Sequence, residues 1–222
     1  MASHLDLEEQ EQLDQLKAFW KRWGNLITWL ITAALAAFAA WQGWNWHQRE
    51  QAAKAAAMYE EFDRALSAQD ADKAAAAAGD LKTSYARTGY AAQAGLQVAK
   101  LLLDKGKADE AKQSLTWVAE QGSAPPYRDL ARLRLAGLQL DAKSFDEATK
   151  TLDAIKSPEF AALVADRRGD ALLLQDKRDA AKAEYQKALA GLDKTQDYRR
   201  IVEAKLATLG VPTVVETTGA AQ

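Results

Sequence analysis

The chain contains no cysteine and only two histidines, His4 and His47, in 222 residues. Disulfides are excluded, and no plausible zinc cluster can be assembled from two distant imidazoles without thiolates, so the sequence predicts no metal. The lack of cysteine also permits an oxidising compartment. Glycine is sparse, at 12 residues, and nowhere forms a phosphate-binding loop or a nucleophile elbow. No histidine follows position 47 to activate a serine, so neither an enzyme nor a cofactor is expected. Charge of one sign is missing as well: 29 Lys and Arg against 31 Asp and Glu leave a net charge of −2 without a basic stripe. Nucleic acid, whose binding depends on neutralising phosphates, is therefore not an expected partner. Only four prolines interrupt a chain that is 48% hydrophobic and rich in alanine. That composition points to one all-α domain.

Long apolar runs are absent too, with one exception at residues 26–44, which carry no charge. As a helix this stretch covers roughly 30 Å, one hydrocarbon core. Trp20 and Trp23 precede it and Trp41, Trp44 and Trp46 stand at or just past its end, where amphipathic rings favour the headgroup region. The stretch reads as a single transmembrane helix contacting the lipid bilayer. Two other readings exist: a buried helix of a soluble domain, which leaves both tryptophan belts unexplained, and a cleavable signal peptide with Ala37-Phe38-Ala39 as its A-x-A site. Against the second, the preceding segment is long and carries Asp6, Glu8, Glu9, Glu11 and Asp14 rather than a short basic region. Lys17, Lys21 and Arg22 before the span, against Arg49 and Lys54 after it, predict a cytoplasmic N-terminus and, in a bacterium, a periplasmic remainder. The expected organisation is a cytoplasmic head at 1–24, an anchor at 25–46, a repeat domain at 47–209 and a disordered tail at 210–222. Trp29 and the small residues Ala33, Ala36, Ala37 and Ala40 would permit close helix approach in lipid.

A repeat lies in the region after the anchor. Alanines following an acidic position recur at Ala74, Ala111, Ala148 and Ala181, spaced 37, 37 and 33. A period near 34 with two helices per unit marks a tetratricopeptide-like α-solenoid of helix hairpins. Twelve residues before the last three alanines stand Ala99, Ala136 and Gly169. Small residues on both helices let a hairpin pack closely, so Ala99, Ala111, Ala136, Ala148, Gly169 and Ala181 are the expected packing positions. Lys105-Gly106 separates two helices of one hairpin, and Gly122 to Pro126 and Ser157-Pro158 fall between hairpins. Residues 51–87 form a degenerate first unit, with Phe62 where the others have a small residue, and residues 198–209 read as a final helix. The competing reading is an irregular bundle whose alanines align by chance.

Solenoid repeats bind through the face of their first helices. In phase with the small residues, that face is expected to show Leu96, Lys100 and Leu103, then Leu133, Gly137 and Leu140, then Asp166, Asp170 and Leu173. This would be a protein-binding groove for exported client polypeptides, its leucines apolar and its acids adding charge selectivity; as an alternative the same leucines are ordinary core. Asp166 and Asp170, at i and i+4 beside Arg167 and Arg168, are expected on a solvated face and not as a catalytic pair.

The segments Thr151-Leu152-Asp153-Ala154-Ile155-Lys156 and Val164-Ala165-Asp166-Arg167-Arg168-Gly169-Asp170-Ala171-Leu172-Leu173 resemble the YfgM-type family, ancillary subunits of the bacterial SecYEG translocon. Weaker echoes occur in Arg132-Leu133-Arg134-Leu135-Ala136 and in Phe19-Trp20 and Gly24-Asn25 of the head, which is longer and more acidic than the family's pattern. The resemblance implies an inner-membrane protein with a periplasmic repeat domain that associates with the SecYEG translocon and the periplasmic chaperone PpiD and helps newly translocated proteins onward. It supplies no catalytic residue. Two functions of different kinds follow as expectations: a chaperone-like translocon accessory, or a membrane-tethered scaffold for folded envelope complexes without client affinity.

Overall fold

The computed structural model describes residues 7–193, 195 and 197–211. The first residues of the acidic head and the tail from 212 onward lie outside these. The chain divides into two compact units, Met1–Gln51 and Ala52–Gln222. The first helix, α1 (Leu7–Ser67), contains no proline and contributes residues to both.

Within the first unit, α1 leaves its apolar side chains bare. Trp29 is 69% exposed and Leu35 63%, and only 6% of the most apolar window, of mean hydropathy 1.5, is buried in the protein. A core helix of a soluble domain would hide these groups, so that reading fails; by length and composition the helix is able to cross a membrane. The two hydroxyls in the stretch are satisfied internally, Thr28 donating to the Gly24 carbonyl and Thr32 to that of Thr28, each at 2.8 Å. Polar groups bonded inside their own helix are tolerated where water is absent.

The second unit is built of hairpins. Residues 52–67 of α1 pair with α2 (Ala71–Ser84), and there follow α3 (Gly89–Asp104) with α4 (Ala108–Gln121), α5 (Pro125–Asp141) with α6 (Phe145–Asp153), and α7 (Ala161–Leu174) with α8 (Arg178–Gly191). A 3₁₀ turn, Pro158–Phe160, leads into α7, and α9 (Asp197–Thr208) closes the described part. Each hairpin turns in the same way. Gln69, Gly106, Lys143 and Asp176 adopt positive φ, and the next residue in each case donates its N–H to a carbonyl five positions earlier, as in Lys107 to Leu102 at 2.8 Å. This bond caps the carbonyl end of the first helix. The four left-handed residues are spaced 37, 37 and 33, the period of the alanines.

All six expected packing positions are buried; Ala111, Ala136, Ala148 and Ala181 are fully so. The tightest approaches use glycine. A Cβ on Gly95 would meet Val118 at 2.5 Å, bringing α3 onto α4, and one on Gly169 would meet the Tyr185 ring at 2.5 Å, bringing α7 onto α8. The largest core cluster joins Ala55 and Phe62 of α1 to α2, α3, α4 and α5 through Leu81, Leu102 and Leu115. A separate cluster at the far end joins α7, α8 and α9 through Ala165, Tyr185, Val202 and Leu206.

One buried carboxylate fixes the joint between the third and fourth hairpins. Asp129 on α5, 2% exposed, accepts the backbone N–H groups of Lys156 and Ser157 at 3.3 and 3.0 Å and the Arg132 guanidinium at 2.6 Å. Burial pushes its carboxyl pKa up, but the hydrogen bonds of Ser157, Arg132 and Lys156 outweigh that and hold it below the ordinary value. A folded-state pKa below the unfolded one contributes stability that is complete above the unfolded value and is lost as pH falls through the folded one. Asp129→Asn is therefore expected to lower the unfolding free energy by about 1–3 kcal/mol at neutral pH. Urea titrations should show the gap to wild type narrowing as the pH drops below about 4.

Candidate functional site: the face of the first helices

Helical register and contacts define one continuous surface on the first helices of the first three hairpins. On α3, Tyr90, Gln93, Gln97, Lys100 and Asp104 recur at helical spacing and are half-buried or exposed, whereas Leu96, Ala99 and Leu102 between them are buried. Residues three, four and seven apart share a helix face, so this stripe is the outward one. On α5 the same register carries Tyr127, Leu130, Arg134, Gly137 and Asp141. The stripes are tied together across helices. The Tyr59 and Tyr90 rings lie 5.4 Å apart, the Gln97 amide donates to the Tyr59 hydroxyl at 2.9 Å, and the Gln93 amide donates to the Tyr127 hydroxyl at 3.0 Å. Arg134 reaches back from α5 to donate to the Leu96 carbonyl of α3 at 3.0 Å. Gln93 and Gln97 each spend one amide N–H on a tyrosine, and their oxygens accept no hydrogen bond among the described residues, which leaves the acceptor that an extended peptide's N–H needs. Burial raises the Tyr59 pKa, more than the Gln97 bond lowers it, which keeps the phenol neutral.

The expected groove is corrected in part by this geometry. Leu96, Leu133 and Leu140 are at most 9% exposed, and Leu103 and Leu173 pack against the core with only part of their surface free. Those leucines are interior packing and offer no apolar trough. Lys100 and Gly137 do lie on the outward stripe of α3 and α5, whereas Asp170, in the same register on α7, is bonded to Tyr185 of α8 and Lys205 of α9. The expected phase ran along a line that straddles core and surface.

Asp166 corrects a second expectation. It is fully buried, not solvated: it accepts the Tyr198 hydroxyl at 2.7 Å and the Lys205 ammonium at 2.8 and 2.9 Å. Asp170 accepts from Lys205 at 2.7 Å, from the Tyr185 hydroxyl at 2.8 Å and from Arg167 at 2.9 Å. Burial, and then the neighbouring carboxylates as acceptors, push both tyrosine pKa values far up, so the phenols remain donors. The two acids are occupied in fastening α9 onto α7 and α8, and neither is open to add charge selectivity to a client or to act on a substrate. Among the described residues no group of three or more metal-binding side chains is assembled.

The tyrosines escaped the sequence reading although their spacing was available. Tyr90, Tyr127 and Phe160 stand 37 and 33 apart, the interval of the small residues, and so occupy one register in three repeats. Gln97, Arg134 and Arg167 share another such register.

A hairpin solenoid with a tyrosine and amide surface on its first helices is the architecture of a protein-binding repeat domain. The profile of a tetratricopeptide repeat-like domain matches residues 17–211. Curated relatives match most of the chain. A Neisseria gonorrhoeae protein is 30% identical over 94% of this chain and 100% of its own length, an Escherichia coli protein 29% over 91% and 97%, and a Haemophilus influenzae protein 28% over 82% and 89%. Each of the three is named an ancillary SecYEG translocon subunit. The chain belongs to this tetratricopeptide repeat-like family, among relatives of that name.

Proposed function

We propose that the protein is a single-pass inner-membrane accessory of the SecYEG translocon. Its N-terminus is cytoplasmic, its repeat domain periplasmic, and its first-helix face holds partner polypeptides. The observation that carries this reading is similarity over more than nine-tenths of the chain to proteins named as translocon subunits, in a chain whose α1 presents a bare, tryptophan-flanked apolar stretch. Orientation rests on Lys17, Lys21 and Arg22 ahead of the stretch. In this setting the repeat domain meets chains as they emerge, beside the chaperone PpiD, and handles them in a chaperone-like way.

One feature of the surface favours the second reading, a scaffold for particular folded partners. Its side chains are tyrosine, glutamine, lysine, arginine and aspartate, with Leu130 the one leucine named on it, rather than the row of leucines first expected. Such a surface selects for sequence where an oily groove accepts any apolar stretch. Both readings share the anchor and the face and differ in what occupies it. The test is purification of the tagged full chain from membranes in mild detergent, with the native span and with an unrelated apolar span, followed by mass spectrometry. Translocon subunits are expected with the native span; recovery of a different folded envelope complex in their place overturns the accessory reading.

A further inference from the structure

The charges on the first-helix face are not equally engaged. Lys100 is closed by Asp104 at 2.9 Å on its own helix, and Arg167 by Asp170 at 2.9 Å. Arg134, on α5 between those two helices and in the register of Gln97 and Arg167, has no carboxylate within ion-pair distance among the described residues. One of its N–H groups is used, on the Leu96 carbonyl, and a guanidinium has five. That bond holds the head group over the seam between α3 and α5 while the residue stays exposed. Burial of part of the side chain draws its pKa down, with no opposing acid to restore it.

The surroundings describe what would complete it. On the N-terminal side of Arg134 stand Tyr127 and Leu130, both half-buried. On the C-terminal side Gly137 has nothing within 4 Å of where its Cβ would be, so the surface is open there too. Gln97 occupies the equivalent register on α3, its carbonyl oxygen free to accept. An occupant can thus run past Arg134 in both directions, which suits a side-chain carboxylate within a segment better than a chain end.

We propose that the first-helix face binds extended segments of partner proteins that carry an aspartate or glutamate side chain, seated on Arg134, next to an aromatic or aliphatic residue seated against Tyr127 and Leu130. The inference rests on the protein-binding reading above and names the class of segment that reading leaves open. A planar guanidinium with free donors forms bidentate bonds to a carboxylate, stronger than neutral hydrogen bonds and lost when the charge is removed.

The experiment uses the full chain in lipid nanodiscs and a phage-displayed library of random dodecapeptides fused through their C-termini, so that every carboxylate offered is a side chain. Selections run in parallel on wild type, Arg134→Gln and Lys100→Gln, each first checked for wild-type helicity and melting temperature. Wild type and Lys100→Gln are expected to enrich acidic residues adjacent to apolar ones, and Arg134→Gln to lose the acidic preference. The best peptide, synthesised with a capped C-terminus, should bind Arg134→Gln about tenfold more weakly than wild type. Exchanging its acid for the amide should cost wild type the same factor. No selected binders, no acidic enrichment on wild type, or enrichment that survives Arg134→Gln overturns the proposal. So does full recovery of the amide peptide when its C-terminus is left free, because the carboxylate source is then a chain end. Translocon recovery in the purification above is unaffected by any of these results, so the two readings fail separately.

Discussion

Replacing Lys205 with methionine is expected to cost about 3 kcal/mol of unfolding free energy, because it removes the one cation hydrogen-bonded to the buried Asp166 carboxylate and leaves it the longer Arg167 pair at 3.8 Å. Asp166 is 0% exposed, and Lys205 supplies two of its three hydrogen bonds while also bonding Asp170. The ammonium further sits 5.3 Å from the Tyr185 ring centroid, so the replacement also removes a contact with α8. Its loss should release α9 first, since α9 is held by this cluster, by Val202 and Leu206 and by Arg199 reaching the Leu189 and Leu192 carbonyls. Limited proteolysis is expected to cut between α8 and α9 well before the hairpins unfold. Combining Lys205→Met with Asp166→Leu should recover much of the loss, because a buried ion pair replaced as a whole by apolar groups is often close to neutral. A single variant that melts like wild type contradicts the view of the cluster as a lock.

Gly169→Leu is expected to be comparably damaging for a different reason. Even a Cβ there would approach three atoms of the Tyr185 ring, at 2.5, 2.6 and 3.0 Å. The ring cannot rotate away cheaply, for it is fully buried and its hydroxyl is bonded to Asp170. Overpacking of this kind costs about 1–3 kcal/mol and occasionally more. Losing the Tyr185 bond adds to it, so a fall in melting temperature of roughly 10 °C is expected in a domain of this size. Gly137→Leu, at the equivalent of Lys100 with open space around it, serves as the control and should melt within a few degrees of wild type. If both variants melt together, α7 and α8 do not depend on close approach at Gly169.

The anchor and the repeats were legible in the sequence because each rests on a local, periodic signal. The bare stretch is a run of uncharged residues between tryptophans, and the hairpins announce themselves through alanines at a fixed interval, repeated by the left-handed turn residues Gln69, Gly106, Lys143 and Asp176. The first-helix face was only half legible. On an alanine-rich helix the stripe through Leu96 and the one through Gln97 differ by a rotation of about 100°, and Leu96 as a leucine is consistent with either core or groove. Only the ring and amide contacts of Tyr59, Tyr90, Gln93 and Tyr127 reveal which side faces outward. The Asp166 cluster was not legible at all. Its cation comes from Lys205, 39 positions away, while its sequence neighbours Arg167 and Arg168 suggest a surface pattern; Arg168 in fact pairs outward with Asp153 at 2.6 Å.

In the proposed function this chain works at the translocon through its anchor and its first-helix face. The measurement that bears on it most directly is the mild-detergent purification, made quantitative and extended to a face variant. Full chains with the native span, with an unrelated span, and with Tyr90→Ala, Gln97→Ala and Arg134→Gln combined are expressed at equal levels, and translocon subunits and newly exported chains are counted per molecule recovered. The native form is expected to bring both, the exchanged span to lose the translocon subunits, and the face variant to keep those subunits but lose exported chains several-fold. Equal recovery of translocon subunits and exported chains from all three forms, or recovery of neither from the native form, contradicts it.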